Sequence, residues 1–291
     1  MKITVVGCGN AFSKKNYNQC FLLEEDGRRM LFDFGTKIPR ALDNLDIDIN
    51  SINDVYVSHL HGDHIGGLEE MAFLRYDWVH KPRTYDKSTL KVPRLIANKY
   101  LLDDLWKKSL RGGLESMEGF DACLETFFEP VPIEPNIAFD WMGWECKLIQ
   151  QVHIMTGSII SNTFGLLMSK EGHETVYFTA DSQHCSPRQM ENFYAEADII
   201  FQDCECTGIN MKTRNLNFMS GVHANYAQLA GWKTANSVNI GDEIRSKMWL
   251  SHYQDFVMED KDYLGNDLNW NEHAKYCSFK GFVRVGQIIK V

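Results

Sequence analysis

The feature that most constrains this chain is a group of four metal-competent side chains within six residues, directly after an apolar run. The segment is His59-Leu60-His61-Gly62-Asp63-His64, and it follows Val55-Tyr56-Val57. A buried histidine needs one hydrogen-bond partner, whereas three imidazoles and a carboxylate crowded at a strand end would repel each other unless a cation joined them. The spacing therefore predicts a metal site at the end of a strand.

The composition predicts a protein that folds without disulfides or other staples. The chain has 291 residues, 44% of them hydrophobic, which is enough for one large core or two modest ones. The sequence has neither a signal-peptide pattern nor a transmembrane run, and none of its eight cysteines stands in a Cys-x-x-Cys pair. We therefore expect a cytoplasmic protein with reduced thiols and no membrane partner. The formal net charge of -9 repels polyanions and so disfavours large RNA as a partner.

Strand-like and helical patterns alternate along most of the chain, which indicates an α/β protein. Strands are predicted over residues 2–7, 20–23, 29–34, 54–58, 144–152, 165–169, 175–179, 198–202 and 248–251, with a closing strand pair within 281–291, and helices over 39–45, 66–74, 187–195 and 226–232. Between about residues 76 and 135 the alternation is lost. We interpret that stretch as an insertion that covers the site, forms a dimer surface or packs on the core. The whole chain, 1–291, is predicted to be one domain built from two strand-plus-helix halves.

Three later strands also end in metal-competent residues. His153 follows the strand over residues 144–152, Asp181 closely follows the strand over 175–179, and His252 follows the strand over 248–251. Each is weak by itself, because a lone histidine at a strand end is commonly a structural residue. Together with the first cluster they predict that several strand ends at one sheet edge complete a coordination shell.

In these motifs the sequence resembles the metallo-β-lactamase superfamily, which implies a four-layer αβ/βα sandwich with a dinuclear metal site at one edge. The resemblance implies that His59, His61 and His153 bind one metal, that Asp63, His64 and His252 bind the second, and that Asp181 bridges the two. Asp33 matches a structural aspartate of the family that lies near the site and is usually not a ligand.

Within the superfamily the chain is most similar to the ribonuclease Z branch of phosphodiesterases. The similarity lies in the opening strand and glycine turn over residues 3–11, the motif over 220–230, and the segment 249–253. It implies that His223 donates a proton to the leaving oxygen and that Glu205 is the carboxylate that orients this histidine. Asn225 departs from the pattern, because the branch usually has threonine or serine two residues after the histidine.

The implied chemistry is metal-dependent hydrolysis of a phosphodiester by a metal-bound hydroxide. Two cations about 3.5–4 Å apart activate water and stabilise charge on the phosphoryl oxygens. Asp63 is a candidate acceptor of the water's proton. Histidine and carboxylate ligands favour two zinc ions, with manganese or iron as alternatives. His184 is left open between a role beside the metals and a surface position.

The expected substrate is a small nucleotide. Members of the branch that process transfer RNA carry a long basic arm, whereas the segment from Ile154 to Ala180 is short and has no basic run. In size, motif and lack of an arm the chain resembles the cyclic-nucleotide phosphodiesterases that destroy cyclic pyrimidine signals in anti-phage defence, the anti-Pycsar type. The alternatives are a ribonuclease Z-type endoribonuclease and a non-catalytic metal-binding module. The resemblance also implies a homodimer.

Overall fold

The computed structural model describes residues 1–80, 91–183, 186–211, 213–218, 221–232 and 240–291. The chain divides into two compact units, one of Met1–Gly7, Tyr17–Ile137 and Gly286–Lys290, and the other of Cys8–Asn16, Ala138–Val285 and Val291. Each unit contains one seven-stranded sheet. Among the described residues, no helix has the length and apolar character needed to cross a membrane.

The strands of the described residues are, in chain order, β1 (Lys2–Gly7), β2 (Cys20–Glu25), β3 (Arg28–Phe32), β4 (Asp54–Tyr56), β5 (Arg94–Asn98), β6 (Ser116–Met117), β7 (Phe120–Asp121), β8 (Glu129–Ile133), β9 (Phe139–Trp141), β10 (Trp144–Gln151), β11 (Met155–Thr156), β12 (Ile159–Ile160), β13 (Thr163–Ser169), β14 (Val176–Phe178), β15 (Ile199–Asp203), β16 (Ile209–Asn210), β17 (Asn215–Leu216), β18 (Met248–Ser251), β19 (Gly281–Phe282) and β20 (Ile288–Lys290). The α-helices are α1 (Ile38–Asn44), α2 (Gly62–Ile65), α3 (Leu68–His80), α4 (Lys99–Leu105), α5 (Arg111–Leu114), α6 (Leu124–Phe127), α7 (Pro187–Gln189), α8 (Tyr226–Leu229), α9 (Asp242–Arg245), α10 (Asp255–Met258) and α11 (Trp270–Tyr276). A 3₁₀ turn forms at Ile49–Ser51, and π-helical turns form at Trp106–Leu110 and Met190–Tyr194.

The sheet of the first unit has the order β20-β1-β2-β3-β4-β5-β8. The strands from β3 through β4 and β5 to β8 run parallel, and the others pair antiparallel. Helix α3 buries Leu68, Met71 and Ala72, spaced three and four residues apart, in one apolar cluster with Val55 of β4 and Leu95 of β5. This packing holds the end of β4, and with it the histidine cluster, against a rigid core.

The segment predicted as an insertion supplies two strands of this sheet, β5 and β8. Strand β8 reads Glu129-Pro130-Val131-Pro132-Ile133 and lies at the sheet edge. Two prolines in five residues are tolerated only at an edge, and they hide the alternation by which a strand is recognised. The predicted helix over 66–74 is also longer, because it runs from Leu68 to His80.

The sheet of the second unit has the order β19-β18-β15-β14-β13-β10-β9, and its strands β14, β15, β18 and β19 run parallel. Carboxyl ends of adjacent parallel strands meet at one sheet edge. Asp181 follows β14, Asp203 ends β15, and His252 follows β18. The topology therefore brings these three side chains together at the same edge.

The predicted closing strand pair is wrong as a pair. Strand β19 joins β18 in the sheet of the second unit, whereas β20 joins β1 in the sheet of the first unit. Both segments have strand character, but the intervening residues carry the chain from one sheet to the other.

Candidate metal centre

The four metal-competent residues of the first unit follow β4 and enter the one-turn helix α2. Nε2 of His59 lies 3.0 Å from Nδ1 of His61, and Nε2 of His64 lies 3.3 Å from a carboxylate oxygen of Asp63. His59 is 3% exposed and His64 is fully buried. His61 and Asp63 are partly exposed, so the structure groups two buried and two accessible donors within these six residues.

A hydrogen-bond chain from Asp33 orients the two buried histidines. Asp33 has a positive φ of 65° just after β3, and its Oδ1 accepts the backbone N–H of Ser58 at 2.8 Å. Its Oδ2 accepts both the Ser58 hydroxyl and Nδ1 of His64 at 2.7 Å. Because the Ser58 hydroxyl donates to Asp33, it accepts from Nδ1 of His59, which lies 3.0 Å away. Both histidines therefore hold their protons on Nδ1 and keep the Nε2 lone pairs for a metal.

Burial raises the pKa of Asp33 above its ordinary value, and it outweighs the opposing effect of His64 and the Ser58 hydrogen bonds. The structural role that the resemblance implied for Asp33 agrees with these contacts. Asp33 orients His64 directly through Nδ1, and it orients His59 through the Ser58 hydroxyl.

In the second unit, Asp181 lies between two histidines. Its Oδ2 is 3.6 Å from Nε2 of His153, and its Oδ1 is 3.5 Å from Nε2 of His252. Nδ1 of His153 donates to the carbonyl oxygen of Val222 at 2.7 Å, so its Nε2 also keeps a lone pair. Burial lowers the pKa of His153, which favours the neutral imidazole that binds metals.

These distances and donor types fit a divalent metal. Ligand atoms that bind one tetrahedral zinc ion at about 2.0–2.2 Å stand about 3.3–3.6 Å apart. The separations of 3.5 and 3.6 Å around Asp181 match that spacing and are long for charged hydrogen bonds. Imidazole and carboxylate donors without cysteine are a set that zinc accepts readily.

His223 has a different carboxylate partner from the one predicted. Its Nδ1 donates to Oδ2 of Asp203 at 2.8 Å, and that oxygen also accepts the backbone N–H of Ser182 at 2.8 Å. The orienting carboxylate is therefore Asp203, a correction of the prediction for Glu205. The carboxylate of Glu205 accepts the hydroxyl of Thr207. Asp203 could have been found in the sequence, because it ends its strand in the same way as the residues singled out at other strand ends.

Burial lowers the pKa of His223, but the Asp203 carboxylate outweighs burial and raises that pKa above its ordinary value. For Asp203, burial raises the pKa, and the neighbouring His223 and His252 together lower it below the ordinary range. The pair thus favours a protonated histidine beside an ionised, buried carboxylate. A group of this kind is suited to donating a proton from Nε2 at neutral pH.

Asn225, the departure from the branch pattern, has a local structural role. Its side-chain oxygen accepts the backbone N–H of Ala227 at 2.9 Å at the start of helix α8, and Gln228 completes a capping box. Asparagine, serine and threonine all cap helices in this way. The substitution therefore preserves the helix start that follows His223.

The structure brings the predicted residues together in two sets. His59, His61, Asp63 and His64 cluster in the first unit, and His153, Asp181 and His252 cluster in the second unit beside His223 and Asp203. His184 lies outside the described residues.

Comparison with solved structures defines the class of protein. The zinc-bound PqqB from Methylobacterium extorquens matches with a TM-score of 0.68 at 11% identity, covering 100% of both chains. The metallo-β-lactamase fold protein YhfI from Bacillus subtilis matches with a TM-score of 0.66 at 18% identity, covering 99% of this chain and 98% of its own. The short form of human tRNase Z matches with a TM-score of 0.62 at 16% identity, covering 100% of this chain and 98% of its own. The chain has the metallo-β-lactamase fold, as predicted from the sequence.

Sequence comparison defines the family. The family model described as "Anti-Pycsar protein Apyc1" matches residues 1–276. A relative of that name from Bacillus phage 010DV004 is 31% identical over 278 residues, covering 89% of this chain and 91% of its own. Another from Paenibacillus harenae is 30% identical over 259 residues, covering 88% of this chain and 91% of its own. The chain belongs to the anti-Pycsar protein Apyc1 family. The predicted enzyme class, a metal-dependent phosphodiesterase, is confirmed by this membership.

Proposed function

We propose that the enzyme hydrolyses 3′,5′-cyclic mononucleotides, with cyclic CMP and cyclic UMP as the preferred class, and thereby removes a signal of anti-phage defence. Family membership supports a cyclic nucleotide as substrate. The short connection between His153 and Asp181 supports a small one, because residues 154–180 form the hairpin of β11 and β12 and the two sheet strands β13 and β14. A segment of this size leaves no room for an RNA-gripping arm.

The proposed cofactors are two divalent metal ions, with zinc favoured over manganese and iron by the donor set. We infer that His59, His61 and His153 hold one ion, that Asp63, His64 and His252 hold the other, and that Asp181 bridges them. The observation that carries this assignment is that the two oxygens of Asp181 face two different histidines at 3.6 and 3.5 Å. When bound, the two ions would activate water and neutralise charge on the phosphoryl oxygens.

The residues of the chain itself would manage the protons. Asp63 is the proposed acceptor of the proton from the attacking water. As the bond from water to phosphorus forms and a bond from phosphorus to a ribose oxygen breaks, Nε2 of His223 would donate a proton to the leaving oxygen. Asp203 would hold His223 in the tautomer and charge state that this donation requires, through the 2.8 Å hydrogen bond to Nδ1. The product is a nucleoside monophosphate.

A substrate panel tests the proposal. The purified, zinc-loaded protein is incubated with cyclic mononucleotides, with bis(p-nitrophenyl) phosphate and with precursor transfer RNA, each with and without a chelator. We expect hydrolysis of the cyclic mononucleotides, intact RNA, and loss of activity on chelation. Cleavage of the RNA without action on cyclic nucleotides would instead establish the ribonuclease Z-type alternative.

We also propose that the enzyme is a cytoplasmic homodimer. The hairpin of β11 and β12 supports a contact surface, because its side chains Met155, Ile159 and Ile160 are 54%, 69% and 40% exposed. The described cysteines are all free thiols, which supports a reducing compartment. Light scattering on the protein as it elutes from a size-exclusion column should give twice the mass of the chain. The Ile159→Glu variant should give the mass of a single chain. A monomeric wild type would refute the dimer.

A further inference from the structure

Phe12 is the most exposed large hydrophobic side chain among the described residues, at 82%. Burial of a phenylalanine side chain would stabilise the folded chain, and Phe12 instead keeps its ring in contact with solvent. The side chain stands on a short loop, Cys8–Asn16, that belongs to the second unit. The ring offers a planar apolar face to solvent.

The loop that carries Phe12 is held firmly. The backbone N–H of Asn10 donates to the carbonyl oxygen of Tyr253 at 3.1 Å. Asp255 accepts the hydroxyl of Ser13 and, at 2.6 Å, the backbone N–H of Lys14. These contacts tie both sides of Phe12 to the residues that directly follow His252. The backbone that carries the Phe12 ring is therefore fixed relative to His252, a proposed metal ligand, rather than part of a loose turn.

Phe12 lines a cavity of about 370 Å³ together with His223 and His252. This volume is in the range of pockets that bind small molecules. Asn10, Glu205, Thr207 and Gln254 add polar groups to the same cavity. An aromatic face combined with a few polar side chains suits a heteroaromatic ring that carries hydrogen-bonding edges.

We propose that Phe12 is a substrate-positioning residue whose ring stacks on the nucleobase of the cyclic nucleotide. This inference rests on the proposed function. His223 would protonate the leaving ribose oxygen, so the ribose and its base belong on the side of the site where His223 lies, and Phe12 lines the cavity on that side. Every nucleobase has a π-face, so stacking on Phe12 confers preference for nucleotides over phosphodiesters without a base, and it does not discriminate among bases.

The test compares substrates with and without a base. For wild type and Phe12→Ala, kcat/KM is measured on a cyclic mononucleotide and on methyl ribofuranoside 3,5-cyclic phosphate. The ratio of the two values should fall about 5- to 150-fold in Phe12→Ala, the range found when a base-stacking aromatic residue is removed. Phe12→Trp, which keeps a stacking face, should retain the wild-type ratio.

Binding provides a second measurement that needs no turnover. Calorimetric titration with a nucleoside 5′-monophosphate and with ribose 5-phosphate should show the same loss of base-dependent affinity in Phe12→Ala. Phe120→Ala, at an exposed phenylalanine of the first unit, is the matched control. It should leave unchanged both the ratio of kcat/KM values and the ratio of affinities for the ligands with and without a base. Because Phe12 is exposed, its substitution should not lower the thermal midpoint.

The outcomes separate this inference from the proposed function. If the wild type hydrolyses cyclic nucleotides and Phe12→Ala leaves both ratios unchanged, the stacking role is wrong and the proposed function stands. If the wild type does not hydrolyse cyclic nucleotides, the proposed function fails first. A change of oligomeric mass in Phe12→Ala without a change in the ratios would also overturn the inference, because it would assign Phe12 to a subunit contact.

Discussion

Replacement of Asp33 by asparagine should weaken metal binding, because the carboxylate receives three donors and an amide cannot. Oδ2 accepts the Ser58 hydroxyl and Nδ1 of His64, while Oδ1 accepts the backbone N–H of Ser58. Asparagine has one oxygen and one NH₂ group. Either orientation places the NH₂ group against a buried donor.

The two orientations have different costs. With NH₂ at the Oδ1 position, the backbone N–H of Ser58 loses its acceptor, which costs about 1–3 kcal/mol of folding free energy. With NH₂ at the Oδ2 position, His64 must accept at Nδ1 and carry its proton on Nε2, so it loses the lone pair needed for a metal. Removing a partner that orients a ligand typically lowers metal affinity about 10- to 100-fold. Asp33→Asn should show one or both of these losses.

The loss of folding free energy is measured by urea unfolding of the metal-free protein. The loss of metal affinity is measured by zinc titration in competition with a chromophoric chelator. Asp54→Asn is the matched control, because Asp54 is also fully buried and accepts hydrogen bonds from Arg28 and Arg94 instead of from histidines. It should lower the free energy of unfolding and leave zinc affinity within about twofold, since no ligand depends on it. Wild-type zinc affinity together with wild-type stability in Asp33→Asn would refute the reasoning.

Three further predictions address the second unit. His223→Gln should lower kcat on cyclic mononucleotides about 10²- to 10⁴-fold, and much less on a p-nitrophenyl ester whose leaving group needs no proton; equal losses in the two assays would remove His223 from the role of acid. Asn225→Ala should cost about 0.5–2 kcal/mol in urea unfolding through loss of the helix cap, whereas Asn225→Ser should retain most of it. Burial of Asp255 raises its pKa, but hydrogen bonds from Ser13 and from the backbone of Lys14 and Lys15 outweigh burial and lower that pKa. Ionised Asp255 therefore stabilises the fold above the unfolded-state pKa of about 3.9, and this stabilisation is lost as pH falls through the lower pKa of the folded state. The stability difference between wild type and Asp255→Asn should therefore shrink as pH is lowered from 6 to 3 in urea titrations, and a difference independent of pH would contradict the assignment.

The metal-competent residues could be identified from the sequence because each is a histidine or aspartate that stands at the end of a strand pattern or in a close cluster. His59, His61, Asp63 and His64 are close along the chain, and His153 and His252 each follow a strand pattern directly. The carboxyl ends of the adjacent parallel strands β14, β15 and β18 share one edge, which brings Asp181, Asp203 and His252 together. Strands β1 and β18 were predicted with the bounds that the structure gives them, for the same reason of strong local pattern.

Other features depend on contacts that a local pattern does not report. Strand β8 contains two prolines and lacks the alternation of apolar and polar residues that marks a strand. It belongs to the sheet because five of its residues pair with β5. Strands β19 and β20 are close in sequence, but each pairs with a distant strand in a different sheet. Pairing across a long stretch of chain is set by packing of the whole unit, so these assignments could not be read from the segments themselves.

Asp203 contacts two histidines of the second unit, one through each of its carboxylate oxygens. Oδ2 of Asp203 accepts from His223, while its Oδ1 lies 3.3 Å from Nδ1 of His252. One buried carboxylate therefore lies against both the proposed proton donor and a proposed metal ligand. A substitution at Asp203 would disturb proton donation and metal affinity together, and its kinetic effect could not be assigned to either. His223→Gln leaves this carboxylate in place, so the leaving-group comparison in that variant reports proton donation. Zinc affinity measured in the same variant shows how far the change reaches His252 through Asp203.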